Sequence, residues 1–279
     1  MWLSHLYGVH APGERNMDAA LAAMHYTNLA HGLAVQAIRH VTPKMPVGLV
    51  LNAQSILPGS DSAEDAAAVE RAFDFHNGAF FGPVFKGEYP ASLLEALGDR
   101  MPPVEEGDLA VISQKLDWWG LNYYTPARVF ADPGEGAAYP ATQPAPFVSE
   151  QTTDIGWEIY APAMKSLVED LYRRYDLPDC YVTENGACDN TELVDGQIQD
   201  DMRLDYCAEH LGVVADLVKG GYPMKGYFAW SLMDNFEWAE GYRMRFGLVY
   251  VDYATQTRTI KKSGSWYSAL ASNFGSSNG

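Results

Sequence analysis

Cysteine is scarce in this chain: Cys180, Cys188 and Cys207 are the only three in 279 residues. Three are too few for a disulfide scaffold and none forms a CxxC pair, so the pattern points to a reducing compartment. Basic residues are also few, 19 Lys and Arg against 36 Asp and Glu, for a formal net charge of −17. A surface that acidic repels phosphate backbones and anionic lipid, which argues against nucleic-acid and membrane partners. Long apolar runs are missing as well. The longest weakly polar segment, Ala19 to Ile38, is interrupted by His25, Asn28, His31 and Gln36, well short of the roughly 18 apolar residues of a membrane span. MWLSHLYG at the start carries no Lys or Arg ahead of an apolar segment, so no signal peptide is read there. No glycine-rich turn of the GxGxxG or GxxxxGKS type follows any strand-like segment, against a nucleotide fold. His5 and His10 have no convincing third ligand, and neither a metal nor a cofactor is expected. The expectation is a soluble, cytoplasmic protein.

What is present is an alternation of helical and strand-like segments. Asn16 can cap a helix over 17–40, where Leu21, Met24, Leu29, Leu33, Val35 and Ile38 recur at roughly helical spacing. Val47 to Asn52 reads as a buried strand, and Ser62 caps a helix that continues toward Phe81. Leu116 to Tyr123 is a second strand. The Pro-, Gly-, Ala- and Thr-rich stretch from Ala131 to Gln151 reads as loop. Pro162 suits the first turn of a helix to about Tyr175, Cys180 to Thr183 is a short β run, and Met202 to Lys219 is a helix closed by Gly220 and Gly221. Lys225 to Leu232 is the fourth strand, and Ser263 to Phe274 a last amphipathic segment. Strands this apolar, each followed by a helix, predict an α/β fold with a parallel sheet. No repeat or linker marks a second domain, so residues 1–279 are expected to form one. Polar side chains gather where the strands end, at Asn52, Asn122 to Tyr124, Glu184 and Trp230, as in a (β/α)₈ barrel.

Two segments carry the chemistry. In Tyr181-Val-Thr-Glu-Asn-Gly186 a carboxylate follows a β run directly, with a tight Asn-Gly turn behind it. Such a side chain either points into a barrel mouth or caps the next turn, and the hexapeptide alone leaves both open. Ala229 to Tyr242, AWSLMDNFEWAEGY, interleaves Trp230, Phe236, Trp238 and Tyr242 with Asp234, Glu237 and Glu240. Aromatic faces beside carboxylates suit a sugar, whose CH face stacks on indole while its hydroxyls donate to carboxylate oxygens. A core reading fits poorly, since the acids and Asn235 interrupt any apolar period.

YVTENG, WSLMDNFEWAEGY followed by RFGLVYVDY, GLNYYT at Gly120–Thr125 and HLYGVHAPG at His5–Gly13 closely resemble glycoside hydrolase family 1, the retaining β-glucosidases. The resemblance implies a (β/α)₈ TIM-type barrel that cleaves terminal β-glucosides, and possible β-galactosides or β-fucosides, through a covalent glycosyl-enzyme. It assigns Glu184 as nucleophile, with Tyr124 and Asn122 holding the nucleophile and the region of the sugar's 2-hydroxyl. Glu237 and Trp238 match the pair that hydrogen-bonds the distal hydroxyls, Trp230 the stacking platform and Phe246 a pocket wall. His10, Asn52 and Trp157 match positions on the aglycone side.

The family's Thr-x-Asn-Glu-Pro motif, whose Glu is the general acid/base, would lie just upstream of HLYGVHAPG and does not occur in these residues. By the resemblance the chain holds only the second half of the barrel, strands five to eight. General acid–base help is worth about 10²–10⁴-fold, so Asp234, Glu240 and Asp189, in loops near the mouth, come under consideration as replacements. The competing readings are a catalytically weak sugar-binding half-barrel and one piece of a split β-glucosidase. Open edge strands further predict a homo-oligomer or a complementary N-terminal fragment as partner.

Overall fold

The Asn16 side chain accepts hydrogen bonds from the Asp18 and Ala19 amides at 3.0 and 3.2 Å, satisfying the orphan donors of helix α1 (Met17–Val41) as its sequence predicts. The computed structural model describes residues 1–134, 136 and 138–276. After α1 come strands β1 (Gly48–Asn52) and β2 (Ile56–Pro58), then helices α2 (Ala63–Phe73), α3 (Ala79–Phe85), α4 (Ala91–Leu97) and α5 (Asp108–Ile112). Strands β3 (Trp118–Asn122), β4 (Ala127–Ala131) and β5 (Thr142–Pro144) precede α6 (Pro162–Arg174), β6 (Asp179–Asn185), α7 (Asp201–Lys219) and β7 (Met224–Ala229). Strands β8 (Val249–Val251) and β9 (Arg258–Ile260) and helix α8 (Lys262–Ser276) follow. The class is α/β, as expected. The residues form two units, Met1–Leu121 with Pro126–Val148 and Ser166–Tyr181, and Asn122–Thr125 with Ser149–Lys165 and the residues from Val182 on.

In the first unit the strand order is β1-β3-β6. The buried stripe of α1 supplies Leu21 and Met24 to a cluster with Phe75, Ala79, Leu93 and Leu97, and Val35 to another with Val47, Val84, Ile112 and Leu116. His25, on the same stripe, is a satisfied core histidine: its ring nitrogens lie 2.9 Å from the Tyr89 hydroxyl and 3.2 Å from the Asp108 carboxylate. Ser62 caps α2 through the Asp65 amide at 3.1 Å. The expected continuous helix toward Phe81 is interrupted by a π turn over Asp74–Gly78 and resumes as α3.

The stretch 131–151 is not all loop. Ala131 ends β4, which pairs in parallel with β2 and antiparallel with β5, and Asp65 accepts the Ala131 amide at 2.7 Å. That buried carboxylate anchors the small sheet in a segment whose composition reads as turns. Glu135 and Ala137, part of the same expectation, lie outside the described residues.

In the second unit β7 neighbours β6. β7 ends at Ala229, three residues before the strand expected from sequence. Beyond it the backbone exchanges partners: the Ser231 amide donates to the Phe246 carbonyl at 3.0 Å and the Leu248 amide to the Ser231 carbonyl at 2.8 Å. Helix α7 adds Tyr206 and Cys207 to a cluster with Ile159 and Ala187.

His210 in α7 is fully buried and His76 in the π turn partly so, and desolvation pushes both imidazoles down to about 4. A histidine that charges less readily folded than unfolded contributes stability above pH 6.5 that is lost as pH falls toward 4. By that linkage each should cost about 2 kcal/mol at pH 5 relative to neutral pH. Urea unfolding at pH 7.5 and pH 5 measures the loss, and unchanged stability would show that neither ring is desolvated.

Candidate active site

The ends of β3 and β6 bring the catalytic candidates together. The Tyr123 amide donates to the Glu184 carbonyl at 2.9 Å, which places the next side chain, Tyr124, beside the Glu184 carboxylate. The Tyr124 hydroxyl donates to Glu184 Oε2 at 2.6 Å. Burial first, and then the hydrogen bond to Glu184, pushes the phenol far above its ordinary range, so the proton stays on tyrosine. One residue back on each strand, Thr183 Oγ1 donates to Asn122 Oδ1 at 2.7 Å and fixes that amide. The Tyr124 ring lies 5.5 Å from Trp157 and 6.1 Å from Phe246, which are 5.8 Å from each other. These three rings form a wall beside the carboxylate, with Phe246 itself buried.

Trp230 follows β7, and its amide donates to the Asn185 carbonyl at 2.9 Å. Gly186 makes this approach possible: a Cβ there would lie 1.9 Å from the Trp230 carbonyl oxygen. Partial burial raises the Glu237 pKa, and the nearby Glu184 and Glu240 charges push it the same way. Trp238, exposed, has φ +40°. Such a backbone costs a bulky L residue about 1–3 kcal/mol and clusters at functional sites.

The loop bearing these groups is held from beneath by Asp234, only 4% exposed. Its carboxylate accepts from Lys261 Nζ at 2.9 Å, Arg245 Nη1 at 2.5 Å and the amides of Gly247 and Val251 at 3.0 and 3.3 Å. Gly247 packs against the same loop, since a Cβ there would meet the Asp234 nitrogen at 2.1 Å. Burial, aided by Arg203, lowers the Lys261 ammonium to about 8 against the opposing pull of Asp234. Alongside, buried Arg203 is ion-paired with Asp200 and donates to the Ala187, Asp189 and Arg245 carbonyls at 3.1, 2.8 and 2.6 Å.

The three carboxylates considered as replacement acids are each already engaged. Asp234 is saturated by two cations. Asp189 is buried and accepts from the Thr191 hydroxyl and from the Arg203 amide. Glu240 is paired with Arg243. Asp234 and Asp189 are taken up by the donors that hold their loops, and Glu240 by an exposed arginine three residues on.

Of the ten residues singled out from the sequence, Glu184, Tyr124, Asn122, Trp157, Trp230, Glu237, Trp238 and Phe246 all belong to the second unit. His10 and Asn52 belong to the first: His10 is half-buried beyond the π turn Trp2–Leu6, and Asn52 is exposed at the end of β1. The sequence did not point to Arg245, Lys261, Asn185 or Tyr206. Arg245 stood next to Phe246 in a quoted motif and was readable as an ion partner. Lys261, in a Lys-Lys pair, gave no signal of burial. Among the described residues no group of His, Cys, Asp or Glu is arranged to hold a metal.

A glycosyl hydrolase family 1 model matches residues 1–276. The chain is similar to a β-glucosidase of Agrobacterium sp. (strain ATCC 21400), 73% identical over 274 residues, covering 98% of this chain and 60% of that protein. Virulence factor SghA from Agrobacterium tumefaciens, solved alone and with its substrate analog salicin, superposes with a TM-score of 0.96 at 73% identity over 98% of this chain and 61% of its own. The family 1 β-glucosidase from Thermotoga maritima superposes with a TM-score of 0.92 at 38% identity, again covering 98% and 61%. The chain thus spans about 60% of the length of the curated relatives it matches and corresponds to part of their barrel. With the family model running through all four motifs and through the strand ends that bear Tyr124 and Glu184, this chain belongs to glycosyl hydrolase family 1.

Proposed function

We propose that the chain is the nucleophile-bearing part of a retaining β-glucosidase. The observation that carries this reading is the 2.6 Å hydrogen bond from Tyr124 to the Glu184 carboxyl group, held at a strand end beside an aromatic wall. In the proposed step a Glu184 oxygen attacks the anomeric carbon and the glycosidic C–O bond breaks, leaving a glucosyl ester that water later hydrolyses. Glu237 and Trp238 hydrogen-bond the distal hydroxyls while Trp230 presents its indole face to the ring. A good aryl leaving group departs without a proton. An alkyl glucoside needs a second carboxylic acid about 5–5.5 Å from the nucleophile, which the engaged Asp189, Asp234 and Glu240 do not supply. Salicin, described as a substrate analog of SghA, is a reasonable first ligand.

A 2-deoxy-2-fluoro-β-glucosyl probe with a dinitrophenolate leaving group tests the reading. Mass spectrometry should find the glucosyl adduct on the peptide containing Glu184, and an adduct on another carboxylate, or none, would refute it. The accompanying proposals are a cytoplasmic location, consistent with three buried free cysteines, and association with a second copy or a complementary N-terminal segment.

Replacing Glu237 by Ala should weaken binding more than folding. Hydrogen bonds to a charged acceptor are worth about 1.5–3 kcal/mol each, so losing one or two should raise the KI of the probe about 10²-fold. Because Glu237 is half-buried, the melting temperature should barely move. A large loss of stability at unchanged KI would make it a structural residue.

A further inference from the structure

We propose that Tyr206, on helix α7 and remote from the sugar, is a positioning residue for the nucleophile, acting through Tyr124. The inference rests on the reading of Glu184 as nucleophile.

The Tyr206 hydroxyl is buried and has two partners. It donates to the Tyr124 carbonyl at 2.6 Å, a group that can only accept, and it receives Asn185 Nδ2 at 3.0 Å. The second Asn185 amide hydrogen goes to the Tyr123 carbonyl at 2.8 Å, and its side-chain oxygen accepts from the Tyr227 hydroxyl at 2.6 Å. Every donor and acceptor in this cluster is therefore assigned in one direction, and the Asn185 amide has one orientation. Asn185 follows Glu184 in the chain, and Tyr124 carries the hydroxyl that binds Glu184. A single phenol thus ties the backbone of the residue that orients the carboxylate to the side chain of the residue behind it. The Tyr206 ring is itself fixed, stacked on His210 at 3.9 Å with 22° between planes. No flexible side chain lies in the relay, so a shift of the hydroxyl is passed to the 2.6 Å contact rather than absorbed.

Tyr206→Phe keeps the ring and deletes the hydroxyl. Its effect should depend on Tyr124, since the relay ends at the Tyr124 hydroxyl. Labelling by the fluoroglucosyl probe should slow about tenfold in Tyr206→Phe at unchanged KI, and less than about twofold when the same change is made in a Tyr124→Phe background. Equal factors in both backgrounds would mean that Tyr206 merely supports the fold. Tyr172→Phe is the control: it deletes a half-buried hydroxyl, which donates to the Pro178 carbonyl at 2.8 Å and accepts from Trp119 Nε1 at 3.3 Å away from the site, and should leave labelling unchanged.

A second readout needs no reaction. In the full chain labelled with tyrosine enriched in carbon-13 at Cζ, the Tyr124 resonance, assigned by its absence in Tyr124→Phe, should shift in Tyr206→Phe and hold still in Tyr172→Phe. An unmoved Tyr124 resonance overturns the proposal. Should wild-type chain fail to label at Glu184, the functional reading falls while the resonance still decides the relay. If Tyr206→Phe does not fold, Tyr227→Phe, which frees the Asn185 oxygen and otherwise alters only the hydroxyl's neighbour Cys207, carries both readouts with a smaller effect in the same direction.

Discussion

Glu184→Gln should abolish reaction with an activated aryl β-glucoside while leaving the protein folded. Glutamine has nearly the same shape, and its side-chain oxygen can still accept the Tyr124 hydroxyl, so the 2.6 Å contact and the aromatic wall beside it have no reason to move. What disappears is the negative charge and the nucleophilic oxygen. Losing a covalent nucleophile costs on the order of 10⁴-fold or more in rate. Release of dinitrophenolate reads this directly, and the melting temperature should lie within a degree or two of wild type. A variant that kept even a tenth of the rate would place the attacking group elsewhere.

The second large effect is expected in stability. Asp234→Ala removes the acceptor shared by Lys261, Arg245 and two backbone amides. Lys261 is 1% exposed and cannot reach water without opening the loop. Breaking a buried ion pair by deleting one partner costs about 3–5 kcal/mol, because the remaining charge stays desolvated. Pairing the change with Lys261→Met should recover part of that loss, since the stranded ammonium is then gone. Chemical denaturation of the single and double variants measures both numbers. A loss below about 1 kcal/mol for Asp234→Ala would show that the surroundings relax enough to admit water.

The motifs made the site legible before the structure did, and for a physical reason. Glu184 and Tyr124 sit at strand ends, where the fold leaves little choice of direction, and although the hexapeptide alone left the direction of Glu184 open, the family resemblance of the motifs pointed to both. The Asn16 cap was equally readable because its chemistry is complete within three residues. Less was visible where the partner is distant in sequence. Asp234 read as a loop acid near the mouth, yet its fate is set by Lys261, 27 residues later, and its burial removes it from acid–base work. Tyr206 drew no reading on its helix, because a hydroxyl's partners are not encoded in helical spacing. The strand β7 was drawn too long for a related reason. Trp230, Ser231 and Leu232 have good β propensity, and only the hydrogen bonds between Ser231 and residues 246–248 show that the backbone has changed partners. The π turn at Asp74–Gly78 leaves no mark in the apolar period on either side of it.

Gly186 and Gly247 set different terms for variation around the pocket. At both, the obstacle to a side chain is backbone, the Trp230 carbonyl in one case and the Asp234 nitrogen in the other, and backbone cannot swing aside as a long side chain can. A substitution at 186 would displace Trp230 from its place beside Asn185, and one at 247 would pry the Asp234 loop from its seat. Neighbouring Leu232 and Phe236 are exposed and meet no such wall. Selectivity in this pocket can therefore drift by exchanging side chains on the loop, while the path of the loop itself is closed to drift. For anyone redesigning the protein, the two glycines mark the boundary between what can be retuned one residue at a time and what would have to be rebuilt together.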